Sequence, residues 1–374
     1  MSEGARVRDV LRLLEAMAPM ELAESWDHVG LQVGDPSGPV SRIVVALELT
    51  AGLLAKTAPA QGALYVTHHP VIFRPMDRVR LDDPTGRSVG ALLGAGASAI
   101  ACHTNWDKAP GGTDDSLAAV LGLEGARPLR REERPLYRVS VMVPEDHLDP
   151  VREAMADAGA GETERYRRAS FSVEGESTFE ALPGASPAFG EVGVFTLRSE
   201  HRLEMVAPED VLGRVVAAML EAHPYEEPAF GVDRLHGGRP FGGLGRVGRL
   251  AEAMPLGRFA ASVRERLEAP GARVVGDPDR PVRVVASVGG SGRSLLKDAV
   301  RAGAEVMVTA DIGHHDARLA EDLGIAVIDA GHRETEQPGV RSLATRLRRA
   351  LRDEGFESTT LEMMTVHAPF GYQV

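Results

Sequence analysis

The 374-residue chain has a single cysteine, Cys102. No internal disulfide can hold the fold, and a reducing cytoplasm is the expected compartment. No stretch approaches about 18 uninterrupted apolar residues, so no membrane-spanning helix is expected. The first run, MSEGARVRDVLRLLEAMAP, has the spacing of an amphipathic helix. It carries charges inside it and no small-residue cleavage site, and is therefore not read as a signal peptide. Positive charge is short: 42 Lys and Arg stand against 54 Asp and Glu, a net charge of −12. That balance speaks against a nucleic-acid-binding surface, and an Arg-rich stretch such as RLRRALR (346–352) reads as one face of a C-terminal helix. Lysine is scarce, three residues against 39 arginines, a skew that reads as coding bias. What remains is ordinary globular usage, 43% hydrophobic and 26% charged. It excludes wholesale disorder, collagen and coiled coil, and the length suggests two or three domains.

Residues 43–49 (IVVALEL) read as a buried strand, 51–60 as a helix, 63–67 as a strand, 88–93 as a helix and 97–103 as a strand. The alternation predicts a parallel sheet with right-handed crossovers. The C-terminal third repeats it, with strands at 283–292, 305–311 and 325–332 and helices between them, which suggests an internal duplication. In the middle, strands at 137–144, 168–175, 201–208 and 229–235 alternate with helices at 145–160 and 208–224. That order suggests a ferredoxin-like α+β insert. GARPLRREERP (125–135) and the glycine-rich HGGRPFGGLGRVG (236–248) are the expected linkers. The expected class is α/β: two similar α/β halves, 1–128 and 241–374, form one split metal-binding domain, interrupted by a ferredoxin-like insert at 129–240.

Histidines and carboxylates gather at the ends of these strands, where open α/β sheets place ligands. His68 and His69 follow ALYVT, and Pro70 fixes the turn after them. His103 ends ASAIAC, and Asp107 follows in what reads as a loop. Asp311 ends EVMVT, with His314, His315 and Asp316 beyond it. His332 follows IAVIDAG, with Glu336 four residues on. That spacing suits one helix face, but Pro338 and the preceding strand suggest a strand–helix junction; either geometry chelates. Together His68, His69, Asp107, His332 and Glu336 form a nitrogen-and-oxygen ligand set without thiolate. Such a set suits divalent Zn, Mn, Fe, Co or Ni rather than a closed Cys-type zinc site. Five ligands are too many for one tetrahedral ion with an open position. Two divalent ions per chain, sharing a carboxylate, are expected, and such a pair can activate water and polarise a carbonyl or phosphoryl oxygen.

Other features carry structural readings beside functional ones. VGGSGRS (288–294) joins a strand to a helix and could hold an anion on its N–H groups. It lacks the lysine and spacing of a P-loop and equally makes a tight turn. Cys102 sits in an apolar strand and reads as core. His314, His315 and Asp316 suit a helix N-terminus, and HPYEEP (223–228) suits a turn between prolines. Trp26 and Asp27 either line the cleft or anchor a loop. No nucleophile elbow supports a Ser/His/Asp triad.

The pieces ESWDHVGLQVGDP, VTHHPVIF, HTNWDKAPGG, VGGSG, VTADIGHHDA and VIDAGHRETE span about 24–340. In that order the sequence resembles the GTP cyclohydrolase I type 2 homologue family, also called Nif-three-like. The middle region, with HPYEEPAF, is similar to the PII-like or CutA-like insert of its longer members. The resemblance implies a dinuclear metal site on His68, His69, Asp107, His332 and Glu336, the set the strand ends select, with Glu336 bridging. It leaves His103 as the catalytic candidate, a proton carrier or a residue behind the ligands. It also implies a toroidal homohexamer with metal sites facing an internal chamber. Two positions depart from the family pattern: His28 follows Trp26-Asp27 where asparagine is usual, and Arg333 replaces a usual aromatic. Neither is a presumed ligand, and both bear on what enters the cleft. The implied function is a dinuclear metal-dependent hydrolase acting on a small molecule, at a purine C8 as in GTP ring opening or at a phosphoester. The alternative is a non-enzymatic metal-binding regulator or assembly protein with a PII-like sensor or oligomerisation insert. No residue identifies guanine recognition.

Overall fold

β-branched and apolar runs bounded by capping residues lay out the first part of the chain. The protein is described here from a computed structural model, which covers residues 4–366 apart from residue 164. Helix α1 (Val7–Met17) buries Val7, Val10, Leu13 and Leu14 on one face, as its amphipathic spacing requires. There follow β1 (Gly30–Val33), β2 (Arg42–Ala46), α2 (Ala51–Thr57), β3 (Ala63–Thr67), α3 (Pro84–Ala95), β4 (Ser98–Ala101), α4 (Thr104–Lys108) and α5 (Thr113–Leu121). Thr50 caps α2 by accepting from Leu53 N at 3.1 Å. Asp83 caps α3 by accepting from Gly86 N at 2.9 Å, with Pro84 in its first turn and Gly96 in the left-handed region at its end. The chain continues as β5 (Glu124–Val143), α6 (Leu148–Asp157), β6 (Ser170–Glu180), β7 (Phe195–Pro208), α7 (Glu209–Ala222), β8 (Phe230–Pro255), α8 (Leu256–Arg266) and β9 (Arg273–Val275). It closes with β10 (Pro281–Ser291), α9 (Leu296–Arg301), β11 (Val306–Ala310), α10 (His314–Leu323), β12 (Ala326–Asp329), α11 (His332–Asp353) and β13 (Thr360–Met363).

The chain divides into two compact units, one running to Glu132 and again from Gly242, the other Glu133–Phe241. In the first, one sheet has the order β1–β4–β3–β2–β13. Its strands β13, β2, β3 and β4 are parallel, and β1 is antiparallel to β4. All five residues of β3 are buried, as in a parallel sheet covered on both faces. The other strands of this unit run β8–β10–β11–β12–β9, with β10, β11 and β12 parallel and the flanking β8 and β9 antiparallel. The architecture is thus mixed α/β. In the second unit the order is β6–β7–β5–β8, and Val139, Val141, Leu203, Met205, Val215 and Met219 form its core with α6 and α7.

Two segments expected as linkers are strands instead. Residues 125–135 lie in β5 and 236–248 in β8. Five of the six glycines of 236–248, all but Gly237, mark close approach. A Cβ on Gly245 would fall 2.8 Å from Leu129 Cδ1, and one on Gly248 would fall 3.0 Å from Leu123 Cβ. Asp107, expected in a loop, sits in the short helix α4. His332 and Glu336 share helix α11 rather than straddling a junction, and Pro338 is accommodated inside that helix.

Candidate metal centre

Each imidazole reaches the site from the end of a parallel strand. His68 and His69 leave β3 with their N–H groups still donating to Ala46 O and Leu47 O, at 3.2 and 2.8 Å. Strand alternation stops there, so both rings turn to the same side, 5.2 Å apart between centroids. His103 follows β4 and opens α4, whose single turn carries Asp107. His332 opens α11, and the i,i+4 spacing brings its Nε2 to 3.0 Å from Glu336 Oε1.

Three of the four rings are oriented from behind. His68 Nδ1 donates to Cys102 O at 3.0 Å, His332 Nδ1 to Asp311 Oδ2 at 2.7 Å, and His103 Nδ1 to Asp27 Oδ1 at 3.0 Å. Such bonds anchor Nδ1 and aim Nε2 into the cluster. The backbone of Asp311 is held in the left-handed region at φ 58°, which aspartate tolerates better than most residues. Asp27 also accepts from Thr104 N and Thr104 Oγ1. Although its burial acts the other way, the bond from His103, aided by Thr104, lowers its carboxyl to about 2.

The Nε2 atoms converge on buried carboxylates. His69 Nε2 lies 2.9 Å from Glu336 Oε2, and His68 Nε2 lies 3.5 Å from Asp107 Oδ1 and 3.6 Å from Glu336 Oε1. His68, Glu336 and Asp107 are only 1%, 4% and 8% exposed. Nevertheless His68 Nε2, Asp107 Oδ1 and Glu336 Oε2 have no hydrogen-bond partner among the described residues. Burial would raise Glu336, but His68, with His332 and His69, holds its carboxyl well below the usual range. Asp107 is pushed well above it, by burial and by the carboxylates of Asp114 and Glu336. Burial alone would lower His332; Glu336 and Asp311 outweigh it and raise the imidazole to about 10. Two carboxylates buried among imidazoles, with ligand atoms left unpaired, have the chemistry that could hold a cation. Among the described residues two groups could hold a metal ion, His68–His69–His103 and His69–His332–Glu336, each with its ligand atoms within 4.8 Å of one another.

The glycine-rich turn at the end of β10 presses on this site but is no anion cradle. Gly289 N donates to Asp114 Oδ1, Gly290 N to Thr335 Oγ1 and Gly292 N to Thr309 Oγ1, at 2.8, 3.0 and 2.8 Å. With its donors taken, the turn supplies close approach: a Cβ on Gly290 would sit against Glu336 Oε1 and 3.1 Å from His332 Nε2. Asp114, fully buried, pins the turn and is raised to about 6 by that burial. It was not singled out in the sequence; its signal was the acidic pair following HTNWDKAPGGT. Asp311 does reach the site, behind His332. His314 and His315 stay exposed at the start of α10, where Asp316 accepts from Gly313 N at 3.2 Å. His223 of HPYEEP bonds Met142 O at 2.8 Å in the second unit. Cys102 is core, its thiol raised to about 12 by burial.

A family model described as Duf34/NIF3 (NGG1p interacting factor 3) matches residues 5–368. A Bacillus subtilis protein named GTP cyclohydrolase 1 type 2 homolog is 37% identical over 333 residues, 89% of each chain. One of the same name from Halalkalibacterium halodurans is 34% identical over 98% of this chain and 99% of its own. The crystal structure of a Bacillus cereus protein related to NIF3 matches with a TM-score of 0.87 and 33% identity, over 100% of both chains. Among the described residues no helix is long and apolar enough to cross a membrane.

Proposed function

The chain belongs to the Duf34/NIF3 family, and from that premise we propose that it is a metal-dependent hydrolase of small molecules, with a two-ion centre on His68, His69, Asp107, His332 and Glu336. The observation that carries this reading is the set of buried, mutually facing ligand atoms without hydrogen-bond partners. Their chemistry fits divalent Zn, Mn, Fe, Co or Ni. Glu336 suits the shared position, since both of its oxygens face imidazoles. When bound, such ions act as Lewis acids and bring the acidity of water towards neutral pH.

The chain's own residues supply orientation and proton handling. Cys102 O and Asp311 aim the rings of His68 and His332 through Nδ1. Asp27 holds the Nδ1 proton of His103, so Nε2 is the atom that takes a proton from water and returns it to a leaving group. General acid–base work of this kind contributes roughly 10²–10⁴-fold. The relatives' name brings ring opening of a purine nucleotide into view beside phosphoester hydrolysis, and no residue here selects guanine.

The same proposal covers the architecture. The first unit is read as a split α/β domain, 1–128 with 241–374, and 129–240 as a PII-like insert. Support comes from the β5–α6–β6–β7–α7–β8 order with strands arranged β6–β7–β5–β8, the arrangement of a ferredoxin-like module. Assembly as a cytoplasmic homohexamer rests on the family resemblance. A regulator without turnover is the second reading. It is favoured by the second unit's own core and by its giving, among the described residues, none to the cluster.

The deciding measurement is metal content by mass spectrometry. About two ions per chain are expected in the wild type, with loss in both His69→Ala and Glu336→Ala. Absence of metal after reconstitution would refute the centre. Two ions without hydrolysis of nucleotides or phosphoesters would favour the regulator.

A further inference from the structure

At the site, beside the ring of His103, stand two aromatic side chains that the metal centre does not use. Trp26 and Phe73 have ring centroids 6.0 Å apart and interplanar angle 63°. Each also meets His103 edge-on, at 6.1 and 6.2 Å. Yet Trp26 is 54% and Phe73 51% exposed, a large apolar area to leave in water.

The backbone that carries them is firmly tied. Beside Trp26, the Asp27 side chain is fully buried and accepts from His103 and Thr104. Glu24 N donates to Thr104 Oγ1 at 2.9 Å. Near Phe73, Ile72 N donates to Gln32 Oε1 at 3.0 Å, and Gln32 Nε2 donates to His28 O at 2.8 Å and Ile72 O at 3.3 Å. Gln32 thus laces the Trp26 loop to the Phe73 loop. Two rigidly mounted rings, half open to solvent and touching the proposed proton carrier, form a pre-organised stacking surface. Little ordering entropy is left to lose when a ligand arrives.

We propose that Trp26 and Phe73 form a subsite for a planar, unsaturated ring in the substrate, placing the group joined to that ring next to His103. This rests on the hydrolase reading for its catalytic consequence. The π faces select flatness rather than a hydrogen-bonding pattern, so a subsite of this kind accepts many planar rings.

The test uses emission. Of the two tryptophans, Trp106 is fully buried, its Nε1 donating to Gly339 O at 3.0 Å, so Trp26 is the indole open to a ligand. Metal-loaded protein is titrated with 4-nitrobenzenesulfonate and with cyclohexanesulfonate, equal in charge but not in flatness, with correction for probe absorbance. Expected is saturable quenching by the planar probe, undiminished by an excess of the saturated one, which would compete if charge rather than flatness were recognised. The apparent Kd should rise at least fivefold in Phe73→Ala and be restored in Phe73→Tyr, at unchanged metal content. Linear, unsaturable quenching, or an unchanged Kd in Phe73→Ala, would overturn the subsite. So would emission that neither iodide nor probe reaches, which would assign the rings to a contact between copies. Metal content and hydrolysis of butyl phosphate on the same samples test the underlying reading separately, since neither needs a planar ring.

Discussion

At the scale of the residue, a buried carboxylate sets the proton affinity of the imidazole beside it. Glu336 and Asp311 hold the His332 imidazole up to about 10 in the metal-free protein, while a metal ligand must be deprotonated. Metal uptake at pH 7 should therefore release at least one proton per chain. Affinity should climb about tenfold per pH unit between the ordinary histidine value and about 10. Calorimetry in buffers of different ionisation enthalpy measures the release directly, and uptake without it would place the cation away from His332. Stability follows the same sign. With a folded value above the unfolded one, the His332 contribution is complete below about 6.5 and is lost as pH rises through about 10. Metal-free protein should thus weaken over that interval. The clustered histidines were legible in the sequence, because His68, His69, His103 and His332 stand just past parallel strands. Their partners were less so. Asp27 lies 76 positions from His103 and Cys102 contributes only a carbonyl, so neither leaves a spacing pattern.

At the scale of the element, the turn ending β10 shows why motif and role came apart. Four residues in five of VGGSG suggest an anion site only if their N–H groups are free; Asp114, Thr335 and Thr309 take three of them. Acceptors so remote in sequence are visible only once β10, α5 and α11 are folded together. Strand composition had the same blind spot at 236–248, where six glycines read as a linker and fold as strand β8. By contrast, β3 and the amphipathic α1 were readable because burial on both faces, or on one, writes a local pattern. The close approach at Gly290 gives a sharp test. Its φ is +60°, and a Cβ would be driven against Glu336 Oε1 and His332 Nε2. Gly290→Ala should cost about 1–3 kcal/mol of stability from the backbone alone and displace Glu336. Reduced metal content in a still-folded variant, read by mass spectrometry and circular dichroism, is the expected outcome. Full metal loading would show that the turn yields and Glu336 stays.

At the scale of the whole molecule, the five proposed ligands all belong to one unit while the chain builds two. Leu117, Phe259, Val285 and Ile328 lie in one core of the first unit, and Val44, Tyr65 and Leu92 in another. The second unit is held by its own cluster around Val141, Met205 and Met219. Two compact units predict two calorimetric transitions rather than one. A cation that binds only the folded first unit stabilises that unit alone, by about 2.7 kcal/mol per ion at a free concentration one hundred times Kd. For a unit of this size that is a shift of roughly 5–10 °C. Chelation of both proposed ions should therefore move one transition down by about twice that much and leave the other in place, and Glu336→Ala should reproduce the shift without chelator. Movement of both transitions together would mean that the units unfold as one body and that metal occupancy reports on the whole chain. Movement of neither, in protein shown to carry metal, would put the cation outside the His68–Asp107–Glu336 cluster, because two buried carboxylates cannot gain a cation partner and leave stability untouched.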